Sequence, residues 1–165
     1  MAENDVVIID SIDEYNEMIG LETKHPLVAV VDMAEADYQK ARGEKTYEYE
    51  VYSVWLKQTM CGDITYGRQP YDYQEGTVTS FAPGQVVHFK PRKDYKPKAL
   101  GLIFHPDLIR GTSLGHDIKQ YAFFDYSSRE ALHISVEEKD VSKECHERIK
   151  IELANPKVNQ SNKLS

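Results

Sequence analysis

A chain of 165 residues has room for one ordinary domain, burying roughly 70% of the surface that the extended chain would expose. Hydrophobic residues at 41% and charged residues at 28% describe a globular chain, and no apolar run reaches the ~18 residues of a membrane-spanning helix. Against 27 Asp and Glu stand only 20 Lys and Arg, so the net charge of −7 has the wrong sign for a surface that displaces counterions from nucleic acid.

The acidic start, MAENDVVIID, has no basic flank leading into an apolar stretch, so no secretory signal is expected. Ser11 precedes Glu14 by three positions, the spacing of a reciprocal helix cap. Ile12, Tyr15, Met18 and Ile19 follow on one helical stripe, and Gly20 stops it. Pro26 introduces LVAVVDM, a short β-branched run expected to be a strand. KTYEYEVYSVWLKQ alternates from Tyr47 to Val51 and continues through Val54, Trp55 and Leu56, which reads as one long strand. Cys61-Gly62-Asp63 is expected to turn into ITYGRQPYDY, a strand interrupted at Gly67 and Pro70. Glu75-Gly76 turns into TVTSFA, Pro83-Gly84 turns into VVHFK, and the basic run Lys90–Lys98, with two prolines inside it, reads as an exposed hairpin loop before ALGLIF. Short strands separated by Gly and Pro turns indicate an antiparallel sandwich or barrel.

The period then changes. His105-Pro106-Asp107 begins a short helical turn, and GHDIKQYAFF offers a second, with Ile118, Tyr121 and Phe124 spaced as a buried stripe. Ser135 with Glu138 caps a longer helix to about Leu153, along which Val141, Cys145 and Ile149 recur every four residues and need a covering surface. Residues 1–25 form an N-terminal arm and helix, 26–105 the barrel, 106–154 the helical segment and 155–165 a frayed tail.

Candidate chemistry is sparse. A metal-centred barrel needs clustered histidines, commonly two on one strand face, and of His25, His88, His105, His116, His133 and His146 only His88 and His105 fall in the apparent sheet, without supporting spacing. No Gly-x-Ser-x-Gly elbow, Walker loop or dinucleotide fingerprint is present. Cys61 falls in a turn, Cys145 reads as a small core residue, and the two form no metal-type pair, which suits a reducing, cytoplasmic setting. Glu48 and Glu50 read as a solvated strand face. What remains is aromatic lining: 11 tyrosines, five phenylalanines and one tryptophan. Trp55, Tyr66, Arg68, Tyr73, Phe81 and His88 are the positions that could hold a small polar ligand inside a barrel, and each has a plainer reading as core or rim packing.

The stretch YDYQEGTVTSFAPGQVVHF, then ALGLIFHPDLIRGTSLG, EALHIS and a capped amphipathic helix, resembles the N-terminal cupin-type domain of AraC-family transcriptional regulators. The resemblance runs from HPLVAVVD at His25 to IELANP near Asn155, and FHPDLIRGTSLG (Phe104 to Gly115) is its most specific part. It implies a mainly β fold with C-terminal helices: a cupin-like antiparallel β-barrel (jelly roll) followed by an amphipathic helix. On the second cupin motif, Gly76 matches the opening glycine, Ala82 stands at the proline, Gly84 matches the later glycine, and the metal-histidine position falls on Val87 rather than His88. The histidine pair of the first motif is missing, so no metal and no other cofactor is expected.

Such domains sense a small-molecule effector and form homodimers, here through Val141, Cys145 and Ile149. They control DNA binding by helix-turn-helix units, which this chain would lack as the excised or truncated portion of a longer regulator. The resemblance thus implies no enzyme, DNA contact only through that C-terminal part, and no membrane partner; the arm would fold over the pocket mouth or cap a barrel edge. Two rivals remain, a stand-alone cupin enzyme of isomerase or dioxygenase type and a cupin domain that only dimerises.

Overall fold

Among the described residues ten strands fall into two sheets of five, and the chain crosses repeatedly from one to the other. The computed structural model describes residues 6–36, 45–57, 62–66, 69–70, 77–91, 98–121, 132–133 and 135–155. The strands are β1 (Val6–Ile9), β2 (Val28–Asp32), β3 (Lys45–Tyr49), β4 (Tyr52–Lys57), β5 (Gly62–Tyr66), β6 (Gln69–Pro70), β7 (Thr77–Phe81), β8 (Gln85–Pro91), β9 (Ala99–Phe104) and β10 (Leu132–His133). The first sheet has the order β1-β3-β8-β5-β6 and the second β10-β7-β4-β9-β2. Every pairing is antiparallel except β1 with β3, where Val6 lies opposite Thr46 and Ile9 opposite Tyr49.

Among the described residues three α-helices accompany the sheets, α1 (Ile12–Met18), α2 (Ser113–Asp117) and α3 (Val136–Ala154), with short 3-10 turns at Pro106–Leu108 and Ile118–Gln120. The Ser11 hydroxyl accepts from the Glu14 N–H at 3.1 Å, and the Glu14 carboxylate accepts from the Asp10 N–H at 3.1 Å, so two otherwise unmatched backbone donors are satisfied as α1 begins. Ile12, Tyr15 and Ile19 enter the core between the sheets, beside Ile9, Val31, Tyr47, Val51, Trp55, Phe81, Val87 and Ile103. A second apolar cluster joins Tyr52 and Phe104, stacked at 5.1 Å, to Ile109 and Ile118 from the segment after β9. Ser135 and Glu138 form the full reciprocal cap of α3, at 3.2 and 2.7 Å. This helix rests beside β2 and β9, with His146 and Leu153 buried.

Several expectations need correction. Tyr47 to Leu56 is not one strand: the chain breaks at Glu50–Val51, where the Glu50 N–H donates to the Ile9 carbonyl at 2.9 Å, leaving β3 in one sheet and β4 in the other. The Lys90–Lys98 segment is not a hairpin loop, because β8 and β9 belong to different sheets; residues 92–97 lie outside the described residues. The N-terminal segment contributes a strand as well as a helix, and β1 covers the side of β3 that β8 leaves open. Tyr121 is exposed rather than part of a buried stripe, and Phe124 lies outside the described residues, as do Cys61, Glu75-Gly76 and the tail from Pro156. Cys145 is exposed, not a core residue. Glu48 and Glu50 are half-buried, not a solvated face. No helix among the described residues is long and apolar enough to cross a membrane.

Gly84 makes the crossing from β7 to β8, with φ +83, where an L side chain is strained, and its N–H donates to the Tyr49 carbonyl at 2.8 Å. At Gly101 the constraint is space: a Cβ there would overlap the six-membered ring of Trp55. Gly101→Val is therefore expected to cost about 1–3 kcal/mol by overpacking, lowering the melting temperature by about 2–4 °C per kcal/mol at this chain length. A denaturant titration showing no loss would mean that Trp55 has another seat.

Withdrawal from water, then a hydrogen bond and like charge from Glu48 and the like charge of Asp10, hold the Glu50 carboxyl above its ordinary range. The folded state therefore binds this proton more tightly than the unfolded chain, and Glu50 loses stability as the pH rises through its raised pKa. Glu50→Gln is expected to stabilise the protein at neutral pH relative to the native chain, with the advantage shrinking as the pH falls toward roughly 4. Equal advantage at both pH values in thermal melts would remove this assignment.

Candidate functional site

The space between the sheets is framed by three rows of inward positions on the second sheet. Phe81, Ser53, Ile103 and Ala29 lie opposite one another at one level, and Thr79, Trp55, Gly101 and Val31 at the next. Lys57 follows, opposite Thr77 and Ala99. Facing them from the first sheet are Tyr47 and Val87, with Val7 beside them, and α1 supplies Tyr15. Tyr15 meets Trp55 at 6.4 Å and Tyr49 at 5.8 Å between ring centroids, and Tyr49 stacks on Tyr47 at 5.6 Å. A line of four aromatic rings thus runs from one sheet through the helix to the other.

Polar groups interrupt this apolar space. Thr79 is 0% exposed, and its hydroxyl oxygen has no hydrogen-bond partner among the described residues. Lys57 is only 6% exposed, and its ammonium lies 5.4 Å from the centroid of the Trp55 ring, within cation–π range. Removal from water raises the phenol pKa of Tyr47, and that of Tyr49 further still, with Tyr47 adding to the second shift. Both rings therefore keep their protons at neutral pH and remain hydrogen-bond donors. A cation, an open hydroxyl and aromatic faces in a water-poor space are means of holding and orienting a small polar molecule.

Of the six positions expected to line a pocket, the structure brings Trp55 and Phe81 together in this core. Tyr66 ends β5 at the register position opposite Val87. Arg68 and Tyr73 lie outside the described residues. His88 alternates with the buried Val87 and so belongs to the other face of its strand, where its Nδ1 pairs with the Thr46 hydroxyl at 2.8 Å. Lys57 and Thr79 were not expected. Simple alternation would have found both, since Lys57 follows Trp55 by two positions and Thr79 precedes Phe81 by two.

Three other histidines engage their own neighbourhoods. The His25 and His105 rings accept N–H groups from Leu27 and Asp107 at 3.0 Å, and His146 donates through Nδ1 to the Ser142 carbonyl at 2.7 Å. Among the described residues no three His, Cys, Asp or Glu side chains gather closely enough to hold a metal.

An unsatisfied hydroxyl in a core costs about 1–3 kcal/mol. Thr79→Val keeps the shape and removes that penalty, so the ligand-free variant is expected to melt at the same temperature or higher. A loss of more than about 1 kcal/mol would show that the hydroxyl is bonded within the folded chain itself.

Neither a protein-family model nor a curated protein matches the chain.

Proposed function

We propose that this chain is the ligand-sensing and dimerisation domain of an AraC-type regulator, built on a cupin-like jelly-roll barrel. The observation that carries the reading is the pair of buried polar groups, Lys57 and the Thr79 hydroxyl, set against Trp55 between the sheets. Folding alone gains nothing from an unmatched hydroxyl there, whereas a bound small molecule would complete it. Strands alternating between two facing sheets support the barrel reading, since jelly rolls are wound in that way. The placement of His88 on the face opposite Val87 supports a site that holds its ligand without metal.

The effector enters between the sheets and binds two arrangements of the domain unequally, which biases the geometry of a homodimer. A linked helix-turn-helix part then reads the change on DNA. The outer surface of α3 is the dimerisation element: Val141 is 59% exposed and Cys145 is exposed, while Ile149 is half-buried. The cytoplasm is the setting of such a regulator. A domain that only dimerises is the second reading, favoured by the close seat of Trp55 on Gly101 and Tyr15.

A thermal-shift screen with small metabolites separates the two. A true effector at a hundred times its Kd stabilises by about 2.7 kcal/mol, and Thr79→Val is expected to abolish that shift. Val141→Glu is expected to give monomers in light scattering. No ligand response with an intact dimer favours the dimerisation-only domain. Turnover of a compound, or a stoichiometric transition metal bound near His88 or His105, favours a cupin enzyme instead.

A further inference from the structure

A second polar recess lies outside the space between the sheets. The hydrogen bonds of β2 to β9 fall at odd positions: Leu27 accepts from the His105 N–H at 2.8 Å, and the Met33 N–H donates to Ala99 at 3.0 Å. In an antiparallel pair the intervening residues turn their backbone groups the other way, so Val28 and Val30 direct theirs toward the free edge of β2. Among the described residues these groups have no backbone partner, and β2 is the last strand of its sheet. The edge opens into a groove of about 210 Å³, closed on one side by the end of α1 and on the other by Lys150 and Leu153 of α3.

Charges of both signs converge there. Lys24 and Lys150 come from different parts of the chain, and three carboxylates, Glu22, Asp32 and Glu35, line the same groove, with Asp32 already accepting from the Ala34 N–H at 3.0 Å. None of the five forms an ion pair with another described residue. Asn16, 2% exposed, also lines the groove and donates through its side chain to Thr23 at 3.2 Å. The volume falls below the roughly 300–1,000 Å³ of sites for drug-sized ligands, so the occupant is small. A strand edge unpaired among the described residues, two cations and three carboxylates around so small a space suit an ammonium and a carboxylate held a few atoms apart.

We propose that this groove binds a free α-amino acid. Lys24 and Lys150 take its carboxylate, Glu22 and Glu35 its ammonium, and the free N–H and C=O groups of Val28 and Val30 take the remaining hydrogen bonds. Because the groove joins β2, α1 and α3, the bound amino acid also ties α3 to the sheet. The site is separate from the one around Trp55 and does not depend on it.

The test is calorimetric titration of the full chain with the common free L-amino acids, each also in a form blocked as its N-acetyl amide. One or a few free amino acids are expected to bind with one-to-one stoichiometry, their blocked forms about tenfold more weakly or worse. Lys150→Ala and Lys24→Ala, both at exposed positions, are expected to weaken binding by a similar factor, and Thr79→Val to leave it unchanged. Absence of heat with every amino acid, equal binding of the blocked forms, or binding kept in both lysine variants would overturn the proposal. Binding lost in Thr79→Val but kept in the lysine variants would do so too, by moving the ligand to the space between the sheets.

Discussion

Trp55 keeps its seat because Gly101 lies directly beneath it. The indole covers the one inward position of β9 that has no side chain, and any larger residue there would occupy the space of the ring. From that seat the ring reaches Tyr15 of α1, Tyr15 reaches Tyr49, and Tyr49 stacks on Tyr47, so the aromatic contacts tie the second sheet to the helix and the helix to the first sheet. Each such contact is worth about 0.5–1.5 kcal/mol beyond the area it buries. The cap at Ser11 and the pairing of β1 serve the same end, because they fix where α1 enters and hence where Tyr15 stands. The candidate ligand groups share this support: Lys57 lies against the Trp55 ring, and Thr79 lies opposite Trp55 in the register.

Much of the local structure was legible in the sequence because it is set by short-range chemistry. The caps at Ser11 and Ser135, the turn at Pro83-Gly84 and the apolar run ALGLIF each depend on residues within a few positions. Sheet membership does not. Tyr47, Tyr49, Val51, Ser53, Trp55 and Lys57 keep one parity through the corner at Glu50, although the chain passes from one sheet to the other. Both sheets face the same core, so a bend between them leaves the inward set unchanged and alternation continues without a mark. The run VVII of β1 carries no alternation at all, which is why a four-residue strand there was not legible. The polar half of the site was hidden for another reason: residue type argues that a lysine belongs in water, and only position shows Lys57 inside.

The long helix shows how a spacing rule can be satisfied while its conclusion fails. Residues four apart advance about 40° beyond a full turn, so a row stepping by four winds around the helix instead of following one side. Val141, Cys145, Ile149 and Leu153 therefore pass from solvent to the sheet: the first two exposed, the third half-buried, the last buried. The face that docks is marked instead by His146 and Leu153, seven positions apart, and its first member is a histidine whose Nε2 is buried without a partner among the described residues. Polar character on the docking face made that face hard to recognise.

Two departures from ordinary burial thus run in opposite directions. Inside, a lysine and an unmatched hydroxyl occupy positions where aliphatic residues would stabilise the fold. Outside, Val141 and Ile151 on α3, and Ile8 and Val86 at facing levels across Glu48 on the first sheet, lie exposed where charged residues would cost nothing. Of the interior polar groups, the Thr79 hydroxyl is one that no described residue satisfies, and folding gains nothing from it there. Under the reading proposed above, a bound small molecule would answer the first departure and a second copy of the chain the second.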